Sequence, residues 1–277
     1  GINMTEFGLL QRKGIVGFTD GYKSIQNTRL MSRIIRSAFD LNCLVMQHAE
    51  DLELSSGGMV NDGIISTKLG LQGISYLAEK VIVERDLTLL EDFNCRYHLS
   101  QISSAASLEV IKNKKQNVNF TSGVSINNLS LNENDVGDFR TFLKLSPPLR
   151  SEDDRLSLVN GIKNDLIQVI VSDHKPEDEE SKRLTFAQAA SGASGIETLL
   201  PLALELFHNE SLKLSKIIEC LTTNPAKILK INKGSLSIGN DADFCIVDIY
   251  KPWVVKKENL VSKSKNTCIE GKKLQGK

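Results

Sequence analysis

Polar residues that directly follow apolar, strand-like segments are the best candidates for chemistry in this sequence. His48 follows the run Cys43–Met46 after one glutamine, and Asp173 follows the mostly apolar run 166–171 after one serine. Parallel sheets place their active sites at the carboxyl ends of the strands, so these two positions predict a shared site. A carboxylate or imidazole there suits a metal ligand or a general base, because burial and a nearby cation can orient it and tune its ionisation.

Each of these positions also has a structural interpretation, and the pattern alone does not decide between the two. His48 can equally cap a strand end by bonding to the backbone, and Asp173 can be a helix N-cap or a turn residue. His98 and Gln101 lie three apart on one predicted strand, so they point to opposite faces. If Gln101 faces the site, His98 faces the helices and is structural.

The composition excludes several classes of protein. The chain has 277 residues, of which 40% are hydrophobic and 25% charged, as in ordinary globular proteins. The 34 basic residues balance the 34 acidic ones, so no net basic field favours nucleic acid or an anionic membrane surface. No apolar run is long enough to span a bilayer. The 5 cysteines are scattered, which favours a reducing cytoplasm, and the 4 histidines limit any metal-hydrolase hypothesis.

Apolar strands alternate with helical periodicity, which predicts parallel βαβ units. Strands are expected around Val16, Val45, Leu99, Phe120 and Ile170. Helices are expected near Leu30 to Phe39 and at 75–92, 105–115, 153–163, 182–190, 196–208 and 213–230. A closed (β/α)8 barrel needs more strands than these five. The segment 234–255 alternates and is rich in turn residues, which predicts antiparallel strands.

Several longer segments match a known family in order and spacing. They include GFTDGYKSI, VMQHAED, CRYHLSQIS, VIVSDHKP and GSLSIGNDADFCIVD. On these segments the chain resembles the dihydroorotases of the amidohydrolase superfamily, in the long form related to hydantoinases and allantoinases. The resemblance implies an α/β fold, an incomplete TIM-like (β/α)8 amidohydrolase barrel with a partial C-terminal β-sandwich. Residues 1–232 would be the barrel, lacking its N-terminal strands, and residues 233–277 the C-terminal part of the sandwich and a tail.

The resemblance also implies a function and site residues. The family's reaction is a zinc-dependent cyclic amide hydrolysis that interconverts N-carbamoyl-L-aspartate and L-dihydroorotate in de novo pyrimidine biosynthesis. Asp173 matches the aspartate that binds metal and transfers the proton, and His48 matches one metal-binding histidine. The resemblance further implies substrate contacts from Asn127, Ser146 and His174.

The rest of the family's metal site is replaced in this sequence. Gly21 stands where the family has the bridging acid, unless Asp20 takes that place through a one-residue shift, and Gln101 stands where the family has a second histidine. The His-x-His pair has no counterpart. The two remaining ligands, His48 and Asp173, are too few for a catalytic zinc, which takes at least three from the protein.

The sequence therefore leaves two main alternatives for the function. The first is a dihydroorotase with weak or absent activity. The second is a non-catalytic dihydroorotase-like scaffold of aspartate carbamoyltransferase that holds no metal. A cyclic amidase for a hydantoin or allantoin ring is a third, but RSEDDR at 150–155 favours the dihydroorotase branch. The family also implies a homo-oligomer.

Overall fold

The computed structural model describes all residues from 1 to 277. The strands are β1 Leu44–Gln47, β2 Val60–Asn61, β3 Gly73–Ile74, β4 Arg96–Leu99, β5 Thr121–Ser125, β6 Val169–Val171, β7 Pro252–Val254 and β8 Lys273–Gln275. The α-helices are α1 Phe7–Gln11, α2 Thr28–Asp40, α3 Ile64–Leu69, α4 Leu77–Leu89, α5 Ala105–Lys114, α6 Ile126–Ser130, α7 Glu152–Lys163, α8 Glu179–Arg183, α9 Leu199–His208, α10 Leu214–Ile218 and α11 Asn224–Leu229. One π-helical segment, Glu219–Thr223, joins α10 to α11. None of the helices combines the length and the apolar character needed to cross a bilayer.

A parallel sheet in the order β1-β4-β5-β6 forms the centre of the fold. Four of the five predicted strands lie in this sheet, which confirms the α/β class. The first predicted strand contributes only a single parallel bridge, from Phe18 to Val45, and at the other edge His174 bridges Ala193. These pairings extend the sheet at both edges without closing it.

The helices begin where the sequence supplies capping side chains. Asn27 accepts a hydrogen bond from Leu30 N ahead of α2, and Ser104 and Ser151 cap α5 and α7 in the same way. Such caps satisfy backbone donors that the helix cannot satisfy itself. The helices α2, α4, α5 and α7 pack side by side in chain order. Their apolar faces and the buried strands form one continuous core.

Two predicted segments differ from the structure. The helix expected at 182–190 is only the short α8, because the chain turns back on itself: Ala190 N donates to Ser181 O and Lys182 Nζ donates to Ala190 O. The antiparallel strands expected across 234–255 reduce to β7, which pairs with β8. A strand needs a neighbour for its backbone groups, and residues 234–247 pair with no strand, so most of their apolar side chains stay exposed.

Candidate functional site

The carboxyl ends of the central strands bring four predicted or neighbouring polar residues together. His48 follows β1, Gln101 follows β4, Ser125 ends β5 and Asp173 follows β6. All four side chains are buried. The fold therefore brings His48, Gln101 and Asp173 together at one edge of the central sheet.

Asp173 is the centre of the first half of this site. Its Oδ1 accepts a hydrogen bond of 2.6 Å from Gln101 Nε2, and its Oδ2 accepts one of 3.5 Å from Ser125 Oγ. Burial raises the pKa of Asp173, against the opposing effects of Gln101, of the charges on His48 and Lys175, and of Ser125. The backbone of Asp173 has a φ of 48°, in the left-handed region that aspartate tolerates better than most residues. Gln101 thus donates to the carboxylate in the position where the family has a histidine ligand.

His48, Glu50 and Ser146 form the second half. His48 Nε2 lies 3.2 Å from Glu50 Oε2, and Ser146 Oγ lies 3.5 Å from both of these atoms. Burial acts to raise the pKa of Glu50, but hydrogen bonds from His48 and Ser55 and the charges of His48 and Arg150 lower it overall. The other ring nitrogen, His48 Nδ1, is buried and has no hydrogen-bond partner. Ser146 therefore lies beside His48 and Glu50 at this edge of the sheet.

The remaining predicted residues lie in different surroundings. Asn127 is buried in the first turn of α6, and its Nδ2 has no partner. His174 Nδ1 accepts backbone hydrogen bonds from Gly195 at 3.2 Å and Ile196 at 3.4 Å, so this nitrogen orients the loop after β6. Gly21 occupies an exposed turn with a φ of 68°. Asp20, the residue before it, is also solvent-exposed.

Sequence reasoning missed an aromatic and charged pair beside His48. The Tyr22 ring centroid lies 6.5 Å from that of His48, and Lys175 Nζ lies 4.9 Å above the Tyr22 ring. Burial, followed by the charges of Asp173 and Glu177, raises the pKa of Tyr22. Lys175 lies two residues after Asp173, and this closeness in sequence was the signal that could have identified it as a neighbour of the site.

A buried ionic network supports the loops that carry these groups. Glu79 of α4 accepts hydrogen bonds from the backbone N–H and the hydroxyl of both Ser103 and Ser104, just beyond Gln101. Arg150 donates to Ser103 Oγ at 3.2 Å, to Asn61 Oδ1 at 2.9 Å and to Ile74 O at 2.6 Å. Burial lowers the pKa of the Arg150 guanidinium, although the charge of Glu79 opposes this. The network fixes the segment after β4 against the segment before α7.

An open cavity of about 990 Å³ lies beside the strand-end site. Its wall includes His174 and Glu177 together with the C-terminal segment 262–266, but neither His48 nor Asp173. Asn266 ties that segment to the loop after β6, since its Nδ2 donates to Gly192 O at 3.1 Å. The cavity therefore adjoins the loop after β6 and does not include the strand-end site itself.

Two residues that match metal ligands, His48 and Asp173, lie buried at the strand-end site. No group of three or more His, Cys, Asp or Glu side chains in residues 1–277 is arranged to hold a metal ion. Of the two matched ligands, Asp173 uses Oδ1 to accept from Gln101, and His48 uses Nε2 toward Glu50. His98, the other strand histidine, bonds to Thr121 Oγ1 at 2.8 Å and is separate from the site.

The fold and the strand-end site define a class of protein that the comparisons identify. The profile of the amidohydrolase family matches residues 10–276, so this chain belongs to the amidohydrolase family. Within it, the chain is similar to curated proteins named dihydroorotase. It is 40% identical to the one from Ehrlichia canis (strain Jake), over 99% of this chain and 62% of that protein. It is 41% identical to the one from Syntrophus aciditrophicus (strain SB), over 99% of this chain and 65% of that protein.

Solved structures agree on the fold. The L-hydantoinase (dihydropyrimidinase) from Arthrobacter aurescens superimposes with a TM-score of 0.85 at 23% identity, covering 98% of this chain and 64% of that one. The dihydroorotase from Saccharomyces cerevisiae gives a TM-score of 0.74 at 17% identity, covering 98% and 75%. The chain spans about 62% of the length of the first curated relatives. Amidohydrolases of this kind are generally metal-dependent.

Proposed function

We propose that this chain belongs to a dihydroorotase-type protein of de novo pyrimidine biosynthesis, acting in the cytoplasm on N-carbamoyl-L-aspartate and L-dihydroorotate. The observation that carries the proposal is the 40% identity to proteins named dihydroorotase along 99% of the chain. Asp173 supports it, because it is a buried carboxylate at the end of a core strand. We further propose that residues 1–232 form barrel structure and that 233–277 contribute to a β-sandwich and tail.

In this proposal Asp173 is the proton-transfer group. Burial raises its pKa, which brings the carboxyl closer to the range in which it can both accept and release a proton. Gln101 holds Oδ1 with a hydrogen bond of 2.6 Å, which leaves Oδ2, bound only by the longer contact to Ser125, to carry the proton. Asn127, Ser146 and His174 would contact the substrate. A zinc ion, where bound, would polarise the ring carbonyl and activate water.

A second function is favoured by the same hydrogen bond. Gln101 occupies one oxygen of the carboxylate that would bind metal, and a glutamine amide is a poor zinc ligand. This supports a site that holds little or no zinc, and hence a non-catalytic, homo-oligomeric scaffold for aspartate carbamoyltransferase.

Metal content and partner binding separate the two functions. Stoichiometric zinc in the purified protein, together with hydrolysis of L-dihydroorotate, would refute the scaffold function. Absence of zinc and of turnover, together with co-elution of purified aspartate carbamoyltransferase on size exclusion, would refute the hydrolase function.

A double variant tests the ligand assignment itself. Gln101→His with Gly21→Asp should raise the zinc retained after dialysis, since it restores two of the donor groups that the resemblance implies for the metal site. Gln188→His, which adds a histidine on the exposed surface, is the matched control. Equal zinc content in the double variant, the control and the parent would show that the ligand assignment is wrong.

A further inference from the structure

The imidazole of His174 is oriented by the backbone of a later loop, residues 193–196, here called the anchor loop. Gly195 N and Ile196 N donate to His174 Nδ1 at 3.2 Å and 3.4 Å. In a neutral imidazole the nitrogen that accepts hydrogen bonds carries no proton, so these bonds place the ring proton on Nε2. His174 lines the cavity of about 990 Å³. The position of the anchor loop therefore decides which tautomer the ring presents there.

The anchor loop lies directly against the chain that leaves β6. Lys175 N donates to Ala193 O at 2.9 Å, and His174 forms a parallel bridge with Ala193. A Cβ on Gly195 would clash with Ser172 O, so only glycine allows the loop to come this close. The distance between the anchor loop and the imidazole is thus set by close backbone packing on this side.

Asn266 ties the anchor loop to the chain that follows His174. Its Nδ2 donates to Gly192 O at 3.1 Å, and its backbone O accepts from Ser194 N at 3.1 Å. Its Oδ1 accepts from Glu177 N at 3.3 Å. The asparagine is 3% exposed, and its amide supplies both the donor and the acceptor that this bridge needs. One buried side chain therefore links the two segments that lie on either side of the imidazole.

Glu197 makes a second tie between the anchor loop and the C-terminal segment. Its Oε1 accepts from Val261 N at 2.7 Å, and its Oε2 accepts from Ser262 N at 3.1 Å. Ser194 Oγ, within the loop, donates to Ser264 O at 3.0 Å. Hydrogen bonds to a carboxylate are stronger than those between neutral groups. The C-terminal segment is therefore bound to the anchor loop at both of its ends.

We propose that Asn266 is a positioning residue, which holds the anchor loop so that its N–H groups fix His174 in the tautomer with the proton on Nε2. Asn266 forms no hydrogen bond with His174 itself and acts through Gly192 and Glu177. This inference rests on the proposed function in one respect, since that function assigns His174 a contact with the substrate. Loss of the Asn266 amide should release the imidazole while the central sheet stays folded.

Heteronuclear NMR of the imidazole nitrogens tests the proposal in the protein without ligand. At about pH 8.5 an ordinary imidazole is neutral, and the parent should show His174 Nδ1 in the unprotonated range, assigned by its loss in His174→Gln. Asn266→Ala should shift this resonance toward the average of the two tautomers. Asn259→Ala, at an exposed asparagine of the same segment, is the matched control and should not shift it. Leu274→Ala, at a buried residue of β8, should lower the melting temperature without moving the resonance.

Glu197→Gln covers the case in which Asn266→Ala does not fold. It replaces one acceptor of the second tie by a donor and should shift the His174 resonance in the same direction. Asn266→Asp keeps the acceptor but not the donor and should give a smaller shift than Asn266→Ala.

The positioning role and the proposed function can fail separately. An unmoved His174 resonance in folded Asn266→Ala, or in Glu197→Gln if that variant alone folds, would overturn the positioning role. An equal shift in Leu274→Ala would overturn it too, because the effect would then follow from lost stability. If the resonance shifts as expected but the parent neither binds nor hydrolyses L-dihydroorotate, the positioning role stands and the proposed function is overturned.

Discussion

Acidification should destabilise this protein through His98, whose ring is buried behind β4 and β5. His98 is 6% exposed, and its Nδ1 is bonded to Thr121 Oγ1 at 2.8 Å. Burial lowers the pKa of His98 from 6.5 to about 4. Between these two values the unfolded chain binds a proton that the folded chain excludes, so the free energy of unfolding falls as the pH falls.

The size of the effect follows from the two pKa values. A difference of one pKa unit corresponds to about 1.4 kcal/mol, so the gap between 6.5 and about 4 amounts to about 3 kcal/mol in full. Between about pH 7 and about pH 5 the expected loss is about 2 kcal/mol, and the remainder follows on further acidification. The contribution is fully present above the unfolded pKa and lost below it.

Urea unfolding at the two pH values measures this loss directly. His98→Gln has no titrating ring, so its loss between the two values should be about 2 kcal/mol smaller than that of the parent. Thr121→Ser keeps both the ring and a hydroxyl partner, and it should retain the parent's pH dependence. If His98→Gln loses as much stability as the parent does, the reasoning from burial is refuted.

Two further predictions concern the supports of the site. In Glu79→Gln, an amide N–H would face the N–H and hydroxyl groups that now donate to the Glu79 carboxylate, so the free energy of unfolding in urea should fall by about 2–4 kcal/mol. Glu84→Gln, on the exposed face of the same helix, should lower it by under about 0.5 kcal/mol. The backbone φ of Gly192 is 141°, and an added Cβ would lie 2.6 Å from Lys175 O. Gly192→Ala should therefore lower the melting temperature by several degrees. Gly8→Ala has nothing within 4 Å of its new Cβ and should leave the melting temperature unchanged or slightly raised. If Glu84→Gln destabilises the protein as much as Glu79→Gln, or Gly8→Ala as much as Gly192→Ala, the reasoning from burial and packing is contradicted.

Much of the core architecture could be predicted because the signals are local. Apolar runs such as 169–171 and the capping serines before α5 and α7 determine structure within a few residues of their own positions. The exception, 234–255, has a strand pattern whose outcome depends on a partner strand. Periodicity describes one strand at a time, so it cannot predict whether that partner is present.

The site could be predicted in position but not in chemistry. Strand ends identified His48, Gln101 and Asp173, because every parallel strand delivers its last residues to one edge of the sheet. The bond between Gln101 and Asp173 joins residues 72 apart in the chain, and no local pattern encodes it. The stacking of Lys175 on Tyr22 likewise depends on a close approach at Gly192 that only the folded backbone reveals.

The polar groups around the site differ in whether they have hydrogen-bond partners within the chain. This difference distinguishes groups that stabilise the fold from groups that can bind a ligand. A buried cluster that served only the fold would satisfy its polar atoms internally, as Glu79 and Arg150 do. Asp173 and Glu50 also have hydrogen-bond partners within the chain. The buried atoms of the site that lack a hydrogen-bond partner are His48 Nδ1 and Asn127 Nδ2. A ligand can form hydrogen bonds with buried polar atoms that have no partner within the chain. Ligand binding therefore explains these unpaired atoms of the site better than fold stability alone does.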